Sequence, residues 1–220
     1  MVRKLTQSSN SNRSIRDAEK TKQQILDAAE IEFAKHGLKG ARTDEIAKAA
    51  GVASRMIYYY FESKERLYQT VLQRPATEIQ DTITQLDLET SSPDQALEAV
   101  IRTAIAHETK HRYRGMLLFQ EATQNQGKYF TQTNWQQVID LLTVLLERGL
   151  KAGIFRPLDS YMTTLNIIGI CVFYGNAYEN LKHLTPNQDL LSAEMIEQYT
   201  QAAIDLVLNG IKTSIRENLR

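Results

Sequence analysis

Residues 43–67 read TDEIAKAAGVASRMIYYYFESKERL, two short helical stretches with a glycine corner between them. Thr43 is placed to N-cap the first, Asp44 and Glu45 suit its positive end, and Ile46, Ala47 and Ala50 give it an apolar stripe. Gly51 supplies the left-handed residue of a tight helix exit, and Val52 fills the corner. The second stretch, with Ser54 as its cap, turns Ile57 inward and Arg55, Met56 and Tyr59 outward. Two short helices at a steep angle, the second carrying aromatic and basic groups, match the geometry that lays a recognition helix in the DNA major groove.

Thr43, Ile46, Ala47, Ala50, Gly51, Val52, Tyr58, Phe61, Ser63, Lys64, Glu65 and Leu67 together form a pattern that resembles the helix-turn-helix of TetR-family transcriptional regulators. The chain departs from it at three positions: Ala53 stands where the family usually has a capping Ser, Arg55 where it often has Gly, and Met56 where it often has Thr. The resemblance covers residues 16–67. It implies an all-α homodimer with an N-terminal three-helix head for a double-stranded DNA operator and a C-terminal bundle for ligand binding and dimerisation. It also implies a repressor that binds a pseudopalindrome and is released by a small-molecule effector. Carried onto this chain, the DNA contacts fall to Thr43, Ser54, Arg55, Met56, Tyr58, Tyr59, Tyr60 and Lys64. Lys64 opens the next helix, where a positive charge opposes the dipole unless a phosphate is bound beside it.

Composition agrees. The 220 residues, 42% of them hydrophobic, can hold one good core or two small ones, and four prolines with ten glycines favour helix over turns. Net charge is zero, yet residues 1–70 carry 13 Lys and Arg against 9 Asp and Glu, while the remainder carries 13 against 17. The positive end is where DNA would sit, although an asymmetry of this size is common in two-part proteins. The single Cys171 excludes an internal disulfide, and its neighbours Ile170, Val172 and Phe173 mark it as a buried structural thiol. With neither a signal peptide nor a membrane-length apolar run in the sequence, the expected setting is the reducing cytoplasm.

Along the chain, residues 1–15 are rich in Ser, Asn and basic groups and read as a disordered arm. Arg3, Lys4, Arg13 and Arg16, with Lys20 and Lys22 beyond, could reach phosphates or a minor groove, or simply be solvated. A helix follows from Arg16 to His36, stopped by Gly37, and its Phe33 is set to pack with Leu38 under Ile46 and Ile57. Ser63 caps a long helix toward Leu86 that links residues 16–67 to the second domain, 68–220. Ser92, Pro93 and Gln95 form a capping box for a helix to Glu108. Further helices are expected at 112–124 and 134–151, from the Asp159 cap to Leu184, and from the Ser192 cap to Ile215. GIFRPLD (153–159) followed by ICVFYGNAY (170–178) resembles the C-terminal domains of the TetR branch that includes pyrimidine- and nicotinate-responsive repressors.

The last two helices carry apolar residues on more than one face, so one face can serve the subunit core and the other an isologous four-helix dimer interface. Phe119, Gln120, Trp135, Phe173, Tyr174 and Asn176 combine aromatic walls with a few polar groups and are the candidate effector site, suited to a small planar or carboxylated molecule. One motif argues for another class. His107-Glu108-Thr109-Lys110-His111 is H-E-x-x-H, the spacing of zinc hydrolases, with Glu121 or His183 as conceivable third ligands. A helical interaction protein without DNA binding is the third class, resting on Ala53, Arg55 and Met56. The expectation is a non-enzyme with no cofactor, no assigned metal ligand and no membrane partner; the sequence leaves open whether His107 and His111 hold a non-catalytic metal or are two polar residues on a solvated or subunit-facing turn.

Overall fold

The structure, a computed structural model, describes residues 5–111 and 113–213, with side chains from residue 16 onward. Among these residues it is all-α: α1 (Leu5–Gly40), α2 (Thr43–Ala50), α3 (Arg55–Phe61), α4 (Lys64–Thr84), α5 (Pro93–Lys110), α6 (Tyr113–Asn125), α7 (Trp135–Lys151), α8 (Ser160–Leu184) and α9 (Ala193–Ile211). A 3-10 turn at Phe130–Gln132 precedes α7. No helix among the described residues is long and apolar enough to cross a membrane. The chain divides into two compact units. One runs to Gln73 and also takes Met116–Gln132; the other holds Arg74–Gly115 and the chain from Thr133 onward.

The first unit is built on the expected apolar stripes. Ile25, Ala29 and Phe33 of α1, Ile46 of α2 and Ile57 of α3 are wholly buried. Gly51 ends α2 in the left-handed region, φ 68° and ψ 30°, as the sequence predicts. Gly37 breaks α1 at φ 65°, and a Cβ there would lie 1.9 Å from the Gln124 amide oxygen, so both conformation and space demand glycine. The expected arm is corrected in part: residues 5–15 belong to α1, because no Gly or Pro interrupts residues 5–36 and the helix propagates upstream. Residues 1–4, with Arg3 and Lys4, lie outside the described residues, as does the side chain of Arg13.

The inclusion of residues 116–132 in this unit departs from a boundary at residue 68, and its cause is a buried polar cluster. Glu121 is 1% exposed. Its Oε2 accepts from the Tyr68 hydroxyl at 2.9 Å and from Asn125 Nδ2 at 2.7 Å, and its Oε1 accepts from the Tyr129 amide at 2.7 Å. The Tyr68 ring meets Phe33 and Tyr129 edge-on at 4.9 and 5.7 Å. Burial, reinforced by the Glu121 carboxylate, raises the Tyr68 hydroxyl well above the usual phenol range.

In the second unit α5 is central and packs against α7, α8 and α9. Ser92 precedes Pro93 as predicted, but its hydroxyl faces Asp94 and Gln95 side chains at 2.6 and 2.9 Å and no side chain caps the α5 amides. Asp159 and Ser192 do cap α8 and α9, accepting from Met162 and Met195 amides. Helix α9 stops at Ile211, short of the expected Ile215, because Lys212 turns extended and pairs antiparallel with Phe155. The Arg156 amide donates to Ile211 O and the Thr213 amide to Ile154 O, both at 2.9 Å. Lys212 Nζ then reaches Asp94 at 2.7 Å and, with the Ser92 hydroxyl, holds the Asp94 carboxyl down to about 2.

Two stability outcomes follow. Replacing Glu121 by Leu should cost about 2–4 kcal/mol in urea unfolding, since the Tyr68 hydroxyl, Asn125 amide and Tyr129 N–H lose a buried acceptor; Tyr68→Phe should cost about half as much. An unchanged midpoint in both would remove the structural role of this cluster. Asp94, depressed in the folded state, stabilises the native chain above the unfolded carboxylate range near 3.8 and loses that contribution as pH falls toward about 2. Thermal scans from pH 6 to pH 2 should therefore show a shallower acid-side loss in Lys212→Ala than in the parent chain.

Candidate nucleic-acid interface and bundle cavity

The surface of α3 is set by what it buries. Ile57 and Phe61 point inward, so Arg55, Tyr58 and Tyr59 must point outward, and Tyr59 is 76% exposed. Met56, Tyr60, Thr43, Ser54 and Lys64 are half-buried around them. Tyr59 and Tyr60 meet edge-on at 5.0 Å. Thr43 Oγ1 lies 3.3 Å from the Tyr58 hydroxyl, which links the start of α2 to the exposed side of α3. All eight residues carried over from the resemblance are thus solvent-accessible on α2, α3 and the α4 start.

Two capping expectations change. Thr43 is the first residue of α2, with Arg42 at the N-cap, whose amide donates instead to Glu32 Oε1 at 3.1 Å. Ser54 precedes α3 but does not cap it; its own backbone is helical, and its hydroxyl donates to Asp44 Oδ1 at 3.0 Å. This contact joins the two helices across the corner that Ala53 would otherwise leave unsupported. Ser63 does cap α4, accepting from the Arg66 amide at 3.1 Å. Lys64 Nζ lies 3.4 Å from the Lys39 carbonyl, so the negative end of α1 already offsets part of its charge. Glu62, at φ 64° and ψ −46°, is the unexpected residue here: a non-glycine in the left-handed half of φ space closes α3 before Ser63. No sequence signal marks it.

The candidate effector residues separate. Phe119 and Gln120 belong to the first unit, Phe119 largely exposed; the other four belong to the second. Of these, Trp135 lines an enclosed apolar cavity of about 30 Å³, walled by Ile79 and Ile83 of α4, Glu108 of α5, and Ile167 and Cys171 of α8. Tyr174 is held in the core, its hydroxyl donating to Leu190 O at 2.7 Å and its ring stacked on Tyr199 at 4.4 Å. Asn176 lies against Gly115, its Oδ1 buried without a hydrogen-bond partner. Phe173 faces outward, 59% exposed. Burial pushes the Cys171 thiol up to about 12, which keeps it protonated and inert, as its apolar neighbours imply.

The H-E-x-x-H motif does not form the constellation of a zinc hydrolase. Helix α5 ends at Lys110, leaving His111 in the C-cap position. His107 and His111 line an open cleft of about 590 Å³, whereas Glu108 turns into the enclosed cavity, so the would-be general base does not share their space. Neither expected third ligand joins them: Glu121 is consumed by Tyr68, Asn125 and Tyr129, and His183 is exposed near the end of α8. Glu78 of α4 does, one donor atom from each of the three lying within 4.8 Å of the others. Burial lowers the His111 imidazole to about 4, helped by the nearby Arg114 charge, so it is neutral at pH 7.

Comparison with known proteins bears on both units. The family model described as "Bacterial regulatory proteins, tetR family" matches residues 25–71, and that described as "Tetracyclin repressor-like, C-terminal domain" matches residues 93–207. The HTH-type transcriptional repressor NicS of Pseudomonas putida is 29% identical over 204 residues, covering 89% of this chain and 94% of NicS. The structure of the ketosteroid transcriptional regulator KstR2 of Mycobacterium tuberculosis superposes with a TM-score of 0.67 at 22% identity, over 86% of this chain and 94% of that one. The fatty acid degradation regulator FadR from Bacillus halodurans gives 0.64 at 25% identity, over 83% and 93%. With its reading head and more than half its length accounted for in this way, the chain belongs to the TetR family of bacterial regulatory proteins, whose members are regulators and not enzymes.

Proposed function

We propose that this chain is a transcriptional repressor that binds a pseudopalindromic DNA operator as a homodimer and is released by a small-molecule effector. The observation that carries the reading is the exposed aromatic and basic surface of α3 on a fully buried helix-turn-helix frame. Relatives across most of its length bear the name of repressors, NicS among them. The exposed Arg55 and the Ser54–Asp44 contact favour a working reading head over an interaction protein that has lost DNA binding, and a protein acting on DNA works in the cytoplasm.

The dimer rests on α8 and α9. Met162, Leu165, Gly169 and Phe173 fall on one side of α8, and Ala202, Leu206 and Gly210 on one side of α9, each set spaced by three or four residues and open to solvent in the single chain. Leu206 is 68% exposed. Apolar stripes of this kind on two long helices suit an isologous four-helix interface, while the opposite sides, with Ile167, Ala203 and Val207, belong to the subunit core.

The effector site is assigned to the cavity behind Trp135. At about 30 Å³ it holds one water-sized molecule, whereas a drug-sized ligand needs several hundred Å³. A ligand can enter only by pushing its walls apart, and Ile79 and Ile83 make α4 one of those walls. Binding therefore differs between closed and open bundles, which is the condition for a switch. Helix α4 begins at Lys64 beside the reading helix, so its displacement changes the spacing of two heads that must match about 34 Å of DNA. A small planar molecule with one polar group fits a wall of Trp135 and aliphatic side chains that ends at Glu108.

In mobility-shift assays on DNA upstream of its own gene, Arg55→Ala should relax preference at one position per half-site, costing about 1–3 kcal/mol there, whereas Lys64→Ala should weaken all sequences and lower the salt slope by about one. A parent chain that shifts no such DNA would reject the reading. Among aromatic acids and nucleobases that release the operator, potency should fall at least about tenfold in Trp135→Ala; equal potency would place the effector elsewhere.

A further inference from the structure

We propose that Glu78, His107 and His111 bind a divalent transition-metal ion of the zinc class, with the Arg114 guanidinium as the cation that the ion displaces. The inference goes beyond the repressor reading and does not rest on it. Helix α5 presents His107 and His111 four residues apart at its C-terminal end, their rings 5.0 Å between centroids, and α4 brings Glu78 across to them. His107 Nε2 lies 3.8 Å from Glu78 Oε2.

The orientation of His107 is fixed by its neighbours. Arg114 Nη1 is 2.9 Å from His107 Nε2 and 2.8 Å from Glu78 Oε2. A guanidinium only donates, so Nε2 must present its lone pair, and the same place that holds a positive charge is faced by an imidazole lone pair and a carboxylate. The proton then sits on Nδ1, which is buried and faces Glu108 Oε1 at 3.8 Å. This is the carboxylate–imidazole–cation order that orients metal-bound histidines, with Glu108 as a positioning residue.

The donor set selects the metal. Two imidazoles and one carboxylate suit zinc and its neighbours, while magnesium and calcium require oxygen ligands throughout. Ligand atoms around tetrahedral zinc lie about 3.3–3.5 Å apart, so donors now within 4.8 Å need to close by about an ångström. Half-exposed Glu78 and His111 stand at the rim, where side chains can make that movement. The cleft of about 590 Å³ beside them, lined also by Asp81, Thr103 and Lys110, gives the ion a path and leaves a fourth position for water. Because the ion must displace Arg114, affinity is tempered by that exchange.

The test is calorimetric titration of the full chelator-treated chain with zinc chloride. One ion per chain should bind. His111→Ala and Glu78→Gln, both at the rim and checked for an unchanged melting curve, should each weaken binding at least about tenfold. The double variant His36→Ala/His183→Ala, which removes the chain's other histidines, should bind as the parent does. Arg114→Met should bind tighter, and cobalt in place of zinc should give the visible absorption of a tetrahedral site. Absence of saturable binding, or binding unaltered by both rim variants, would overturn the site, and weaker binding in Arg114→Met would overturn the displacement.

Discussion

One polar tie between α4 and α6 holds each compact unit, the first wholly buried and the second at the rim of a cleft. Tyr68 donates to Glu121 in the first unit, and Glu78 accepts from Arg114 in the second. Both acceptors are carboxylates, but only the Tyr68–Glu121 tie is wholly removed from water, where separating the pair strands a buried group at a cost of about 1–3 kcal/mol; Glu78 keeps a face in solvent. These are also the two helices along which the chain passes between its compact units. Each unit therefore contains one tie, and each tie is chemically different: a neutral phenol on a carboxylate in one, a full ion pair flanked by imidazole in the other.

This difference matters for what could act on each. The Tyr68 cluster closes on itself, with both Glu121 oxygens satisfied and aromatic rings around them, and offers nothing to a ligand. The Arg114 cluster lies on an open cleft and shares His107 with the metal-ligand set. Between the cleft and the enclosed cavity runs α5, its His107 facing one and its Glu108 facing the other. An ion on one side and an organic effector on the other would thus meet the same helix turn.

Much of the head was legible in the sequence because its determinants are local: a glycine that needs positive φ, a 3.6-residue apolar period, and motif spacing within residues 43–67. Helix identities in the bundle were legible for the same reason. What sequence could not yield was contact at long range. Glu121 reads in the sequence only as a conceivable third metal ligand and is a buried acceptor for Tyr68, 53 residues away. Glu78 carried no motif, yet it is the residue that completes the His107 and His111 cluster. Capping was misjudged at Ser92 because the Asp94 and Gln95 side chains take its hydroxyl, and at Thr43 because the helix begins at that residue with Arg42 in the cap position, outcomes set by packing and not by residue type. The aromatic candidates divide between the two units, and the exposure of Phe119 and Phe173 depends on which helix face is left uncovered, which the sequence does not encode locally.

The interruption of the first unit by residues 74–115 has a consequence for biosynthesis. A ribosome completes α1 to α3 and the first turns of α4 early, but the acceptor for Tyr68 arrives only with Glu121, and the rest of the segment with Gln132. Until then the emerging head keeps Phe33 and Tyr68 without the Tyr129 ring that closes over them, an apolar surface open to chaperones. Closing a loop of that length adds only a slowly growing entropic cost, yet it places the slow, non-local step after α5 has been made. The reading head, first along the chain, is thus finished only after the segment that interrupts it has already emerged.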